Sequence, residues 1–205
     1  QEWDRRIQSE MSQFAKSSGL EPLAKIAEQA KRAQTQIDQI NVVTERIDEL
    51  VRYAGDWRTT EYGYYPKPFE ETLRLQSGDC KDYSALTVAV LREIGISAYP
   101  GLVWRGFRGP SYRQGTIPVS DFNHAIVYVP LKDGTHLWID PTNFTSFAQG
   151  KRSDIAGRQS LILDPAAPFL GEIPPVEPSE ATESYNAVFQ LVPGAGRLKA
   201  KGWIE

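Results

Sequence analysis

Cysteine and methionine each occur once in the 205 residues, and histidine occurs twice. A single cysteine excludes an internal disulfide and is compatible with a reducing or an oxidising compartment. No apolar run approaches the roughly 18 residues that a membrane span requires. The net charge of −3 gives no electrostatic attraction to nucleic acid or to an anionic membrane surface. We therefore expect an ordinary globular protein without a nucleic-acid partner or a membrane span in this chain.

The single cysteine stands at the predicted start of a helix. Asp79 can cap that helix by accepting hydrogen bonds from first-turn amides, and Gly95 can end it. From Ala85 to Leu91 only Thr87 is not apolar, which predicts a helix buried in the core. Cys80 then lies at the positive helix end, where free N–H groups favour the nucleophilic thiolate. The alternative is that Cys80 is a small buried hydrophobic residue, but polar residues on both sides argue against it.

The first quarter of the chain has the spacing of amphipathic helices. Trp3, Ile7, Met11 and Phe14 recur at steps of three and four, which places them on one helix face. From Pro22 to Val51 the same spacing continues, and it predicts either one bent helix or two, with an interruption at 41–44. A coiled-coil oligomer is the alternative to packing on the domain, but alanine at two of the seam positions would make a weak zipper.

The segment 53–71 is rich in aromatic residues and contains Gly63 and two prolines, which predicts an irregular wall of the core or of a cleft. Beyond the cysteine helix, residues 97–104 are typical of a strand. The following loop, 105–120, is long enough to be a lid or rim of a functional site.

A hairpin is predicted around Lys132-Asp133-Gly134, because β-rich runs flank a three-residue loop with a glycine suited to the left-handed position. This turn pairs Leu131 with Thr135, so Ile126 faces Asp140. His124 and Asp140 then become diagonal neighbours about 7–8 Å apart on one face. His136 falls on the same face near the turn, and we expect it at the surface.

Cys80, His124 and Asp140 together form a Cys-His-Asp layout suited to covalent acyl transfer. Cys80 would attack a carbonyl carbon, and His124 would take and return the proton. Asp140 would fix the imidazole tautomer and stabilise its charged form. The backbone N–H of Cys80 is a natural donor to the oxyanion.

The motifs Gly78-Asp79-Cys80-Lys81-Asp82, Phe122-Asn123-His124 and Trp138-Ile139-Asp140-Pro141-Thr142 resemble the transglutaminase-like superfamily, in particular its bacterial branch. The resemblance covers about residues 44–143. It implies a papain-like α+β core, in which the cysteine helix packs on an antiparallel sheet, and it puts Cys80, His124 and Asp140 in the family's catalytic positions.

The same resemblance implies that a polar or aromatic side chain upstream of the cysteine completes the oxyanion hole. Trp57, Tyr65 and Gln76 are the candidates in this chain. Family members include transamidases, peptidases and inactive copies, so the expected substrate is a protein or peptide amide, and a silent binding or scaffold module is the alternative. The resemblance also favours a periplasmic or secreted location, with flanking β domains in a longer protein. We expect no cofactor and no metal, since the chain has no CxxC pairs of the kind that hold zinc.

The last part of the chain carries less information. Five prolines between Asp164 and Pro178 predict an extended linker or wrapping arm rather than a core element. Residues 187–192 and 198–204 suit a hairpin that would begin a further β element. We therefore divide the chain into an N-terminal helical segment (1–43), a transglutaminase-like core (44–163) and a proline-rich linker with the β element (164–205).

Overall fold

A computed structural model describes residues 2–14, 16–55, 62–106, 122–142, 148, 150, 152–177 and 179, together with the backbone of 185–191 and 198–204. Trp57 and most of the predicted lid 105–120 lie outside these residues. The helices are α1 (Glu2–Met11), α2 (Glu21–Lys31), α3 (Gln36–Leu50), α4 (Phe69–Leu75) and α5 (Cys80–Glu93). The strands are β1 (Arg52–Tyr53), β2 (Ser77–Gly78), β3 (Tyr99–Val103), β4 (His124–Pro130), β5 (His136–Ile139), β6 (Gln159–Ile162), β7 (Phe169–Glu172), β8 (Tyr185–Leu191) and β9 (Leu198–Ile204). None of the helices in the described part combines the length and the apolar character needed to cross a membrane.

The N-terminal segment forms three helices, and the predicted interruption at 41–44 is wrong. The chain breaks at 32–35, where the Thr35 hydroxyl accepts a hydrogen bond from Asp38 N (3.1 Å) and so caps α3. Val43 and Thr44 instead lie buried within α3. Thr44 satisfies its hydroxyl inside the helix by donating to the carbonyl of Ile40 (3.2 Å).

Helix α5 runs through the centre of the main core, as its apolar sequence predicts. Every residue from Asp82 to Leu91 is buried, and Gly95 follows the helix end with a left-handed φ of 81°. Helices α1, α2 and α3 contribute buried residues to the same core. This packing fixes the position of the first residue of α5, which is Cys80.

Five described strands form one antiparallel sheet in the order β5-β4-β3-β6-β7. Val127 and Ile139 pair across β4 and β5 and belong to the core that contains α5. The predicted hairpin register is confirmed, because Val127 pairs with Ile139 and Tyr128 with Trp138. Gly134 has a φ of 85°, and Leu131 N donates to the Thr135 carbonyl (2.8 Å), so the predicted turn is also confirmed.

The proline-rich stretch is not only a linker or arm, since residues 169–172 form strand β7 at the edge of the sheet. An edge position suits a strand with prolines nearby, because one side of its backbone makes no ladder bonds. Gly171 is needed there, as a Cβ would lie 2.9 Å from the Trp138 ring.

The described residues separate into two compact units, 1–175 and 176–205. The second unit contains the antiparallel pair of β8 and β9, with Tyr185 opposite Ile204, so the pairing of the two predicted strands is confirmed, while the predicted turn lies outside the described residues. The division at residues 43 and 163 stays a prediction of the sequence.

Candidate functional site

The start of α5 is built by its own sequence. Asp79 accepts a hydrogen bond from Lys81 N (3.0 Å), while the Asp82 carboxylate accepts from Asp79 N (2.9 Å) and from Lys67 N (2.8 Å). The bonds from Lys81 N and Asp79 N satisfy amide groups that would otherwise be unpaired at the helix start, and the bond from Lys67 N ties the preceding segment to it. Gly78 leaves room for them, because a Cβ there would lie 2.9 Å from the Asp82 Cβ. Cys80, which follows directly, is a partly buried residue.

His124 and Asp140 come together as the hairpin register requires. The imidazole Nε2 lies 2.9 Å from Asp140 Oδ2, and both side chains are almost fully buried, at 3% and 0% exposure. The other carboxylate oxygen, Oδ1, accepts from Thr142 N (3.1 Å) and Thr142 Oγ1 (2.7 Å). The Asp140 carboxylate, which is fixed by Thr142, is thus the hydrogen-bond partner of Nε2. This leaves Nδ1 as the imidazole nitrogen available to the thiol of Cys80.

The ionisation of the site depends on this contact. Burial by itself would lower the pKa of His124, but hydrogen bonds to Asp140 and Cys80 and their negative charges raise it to about 9. Burial pushes the pKa of Asp140 upward, yet the bond and the charge of His124 together with Thr142 hold it below its usual value. The arrangement therefore favours an imidazolium beside a carboxylate. The three residues predicted from sequence are brought together by α5, β4 and the end of β5.

Tyr53 is a site residue that the sequence analysis missed. It lies on β1, which pairs in parallel with β2 and places Tyr53 opposite Gly78, two residues before Cys80. Burial and the negative charges of Cys80, Asp79 and Asp140 raise the pKa of Tyr53 to about 12, so its hydroxyl remains a hydrogen-bond donor at neutral pH. The signal available in the sequence was only an aromatic residue in a short β-prone stretch before a loop.

The three upstream residues predicted for the oxyanion hole lie in different places. Trp57 lies outside the described residues. Tyr65 packs beside α1, where the Arg6 guanidinium lies 4.6 Å from its ring centre. Gln76 ends α4 with a left-handed φ of 47°, and its backbone oxygen accepts from Arg52 N (3.0 Å). Their roles stay predictions.

A cavity of about 620 Å³ is lined mainly by the end of α3, β1 and the end of α4. Its walls include Tyr53, Gln76 and Thr142, the last of which is bonded to Asp140. Cys80, His124 and Asp140 do not line this cavity, which among the described residues is connected to them only through Tyr53 and Thr142. Within the described part of the chain, no three His, Cys, Asp or Glu side chains are grouped so as to hold a metal ion.

Comparisons with known proteins agree with this architecture. The sequence pattern of the transglutaminase-like superfamily matches residues 24–141, more than half of the chain. The search of curated proteins finds no match. Among solved structures, a "putative protease" from Parabacteroides distasonis is 13% identical, with a TM-score of 0.57 over 93% of this chain and 37% of that one. A "putative cysteine protease" from Cytophaga hutchinsonii also matches; it is 14% identical, with a TM-score of 0.41 over 89% of this chain and 51% of that one. Legionella pneumophila LapG is 11% identical, with a TM-score of 0.46 over 81% of this chain and 89% of that one.

The chain spans about a third of the length of the Parabacteroides protein and half of the Cytophaga protein. The likeness to the Parabacteroides structure is one of fold, which in this chain combines helices with an antiparallel sheet.

Proposed function

Because the chain belongs to the transglutaminase-like superfamily, we propose that it is a cysteine-dependent acyl transferase or amidohydrolase acting on protein or peptide amides. The observation that carries this proposal is the buried His124–Asp140 pair (2.9 Å) next to the partly exposed Cys80 at the start of α5. A thiol beside an oriented imidazole is the arrangement that covalent acyl transfer requires.

The reaction would run through an acyl-thioester. The Cys80 thiolate attacks the amide carbonyl carbon, and a C–S bond forms while the carbonyl π electrons move to oxygen. His124 Nδ1–H then protonates the departing amine as the C–N bond breaks. In the second half, His124 removes a proton from water or from an amine, which attacks the thioester and releases the Cys80 thiolate. Asp140 remains ionised throughout and holds Nε2–H.

The oxyanion that forms when Cys80 attacks the carbonyl needs hydrogen-bond donors directed at its oxygen. The backbone N–H of Cys80 stands at the positive end of α5, and Tyr53, which pairs with Gly78 two residues before Cys80, keeps its hydroxyl protonated at neutral pH. We assign these two groups as the donors, with Gln76, which directly precedes β2, as a third candidate.

Whether water or an amine resolves the thioester determines whether the enzyme hydrolyses, deamidates or cross-links. The arrangement of Cys80, His124 and Asp140 is equally suited to all three reactions. The experiment below therefore identifies the group that accepts the acyl chain. The alternative function, a silent binding module, requires a closed site, and the incomplete burial of Cys80 argues against it.

The test is to incubate wild type, Cys80→Ala, His124→Ala and Asp140→Ala with a glutamine-containing peptide and a labelled amine, and separately with a peptide pool. Incorporated label indicates transamidation, new peptide termini indicate proteolysis, and released ammonia without incorporation indicates deamidation. We expect Cys80→Ala and His124→Ala to abolish the activity, and Asp140→Ala to retain a small fraction of it. If wild type equals Cys80→Ala in every readout and its thiol is also inert to iodoacetamide, the silent-module alternative replaces this proposal.

A further inference from the structure

A chain of charged contacts leads away from Asp140. The Oδ2 atom that faces His124 also lies 3.5 Å from Arg152 Nε. Arg152 is held by Asp154 through two bonds, Nε to Oδ1 (3.0 Å) and Nη2 to Oδ2 (2.8 Å). Asp154 Oδ2 in turn accepts from Arg105 Nε (2.6 Å). Asp140 thus has a cation beside it whose position is set by a second carboxylate.

The chain of contacts returns to His124. Arg105 N donates to Asn123 Oδ1 (2.7 Å), and Asn123 Nδ2 donates to the Arg105 carbonyl (3.1 Å). Asn123 is the residue before His124, so the contacts form a closed ring that includes the imidazole–carboxylate pair. These two hydrogen bonds to the backbone of Arg105, just beyond β3, give a physical role to Asn123 of the Phe-Asn-His motif.

The charges in this ring act on His124 in opposite directions. Within the described residues, the titratable or charged groups around the pair are Cys80, Asp140, Tyr53, Arg105, Arg152 and Asp154. Asp140 stabilises the imidazolium, whereas a cation beside the same oxygen, as Arg152 is, is expected to oppose that stabilisation. Asp154 takes up part of the charge of Arg152 and weakens that effect.

We propose that Arg152 is a positioning residue of the site, which orients the Asp140 carboxylate and moderates the basicity of His124, and that Asp154 sets the strength of this effect. Its relevance to catalysis rests on the proposed function. Beside Asp140 alone, the imidazolium of His124 would be too weak an acid to protonate the leaving amine efficiently. The guanidinium of Arg152 offsets this by increasing the acidity of the imidazolium.

The two histidines of the chain allow a direct test. In histidine-labelled protein, NMR titration gives one resonance for His124 and one for the exposed His136, which serves as an internal reference. Arg152→Gln should raise the titration midpoint of His124 by on the order of one pH unit, because a cation is lost. Asp154→Asn should lower it, because Arg152 is then free to pair with Asp140 and an anion is removed.

Arg158→Gln is the matched control, since Arg158 belongs to the same segment but donates to the Gly106 carbonyl (2.5 Å). It should leave the midpoint unchanged. Should Arg152→Gln fail to fold, the downward shift expected for Asp154→Asn still tests the proposal. Midpoints that do not move in either variant, or that move in the same direction, overturn it.

Acyl transfer measured on the same variants separates this proposal from the proposed function. A positioning role predicts that Arg152→Gln lowers kcat with KM little changed and displaces the pH profile upward. A purely structural role would lower the melting temperature and leave the profile in place. If wild type transfers no acyl group but the His124 midpoints shift as expected, the proposed function fails and the positioning role stands.

Discussion

Replacing Asp140 by Asn should destabilise the protein in a pH-dependent way. The substitution removes the charge that faces a buried imidazole at 2.9 Å while keeping the size of the side chain. The difference between the ordinary His pKa of 6.5 and the value of about 9 that Asp140 and Cys80 produce corresponds to about 3 kcal/mol. Since Asp140 is the larger of these two influences, we expect the loss at neutral pH to be roughly 2–3 kcal/mol.

The pH dependence follows from the direction of each shift. The folded pKa of His124 is raised, so its contribution is complete below about pH 6.5 and disappears as the pH rises through about 9. The folded pKa of Asp140 is lowered, so its contribution is present above the unfolded value of about 3.9 and disappears as the pH falls through the folded value. The difference between wild type and Asp140→Asn should therefore be largest between about pH 4 and pH 6.5.

Urea denaturation from about pH 5 to pH 10 measures this difference as a free energy of unfolding. Asp133→Asn is the matched control, because Asp133 also accepts from a Thr two residues on, Thr135 N (2.9 Å) and Oγ1 (2.6 Å), but is exposed and faces no imidazole. It should cost about 0.5 kcal/mol or less. A loss for Asp140→Asn that is constant with pH, or no greater than that of the control, would refute the ion-pair account.

Three further substitutions test separate parts of the site. Gly134→Val places a β-branched residue at a φ of 85° and should cost about 1–3 kcal/mol in thermal denaturation and reduce thiol reactivity; unchanged stability would mean that the turn tolerates the residue. Tyr53→Phe should lower acyl transfer about 10-fold or more without slowing alkylation of Cys80, whereas unaltered transfer would exclude the hydroxyl as a donor. Gly78→Ala should slow alkylation, since its Cβ would lie 2.9 Å from the Asp82 Cβ and displace the helix start; normal alkylation would show that the start adapts.

The parts of the fold that depend on local chemistry were predictable from sequence. Asp79 and Gly95 delimit α5 because capping and left-handed ends are decided within a few residues. The Lys-Asp-Gly turn fixes the register of β4 and β5, and that register brings His124 to Asp140. The error in the break between α2 and α3 was avoidable, because Thr35-x-x-Asp38 is itself a capping signal.

The parts that depend on distant pairing were not predictable. Tyr53 reaches the site because a two-residue strand pairs in parallel with β2, and such short strands carry no periodicity. Arg152 lies beside Asp140 and is held there by Asp154, and nothing in the spacing of these charges indicates a contact with a residue on another element. Strand β7 was missed because its neighbouring prolines obscure a short edge strand.

The central claim, that His124 activates Cys80, is tested most directly by the rate of iodoacetamide alkylation as a function of pH in wild type and His124→Gln. The single cysteine makes the modification unambiguous by mass spectrometry. We predict that wild type is alkylated many times faster than His124→Gln near pH 6, and that the two rates converge above about pH 9.5, where isolated thiols are ionised. Superimposable profiles for the two folded proteins would contradict the claim.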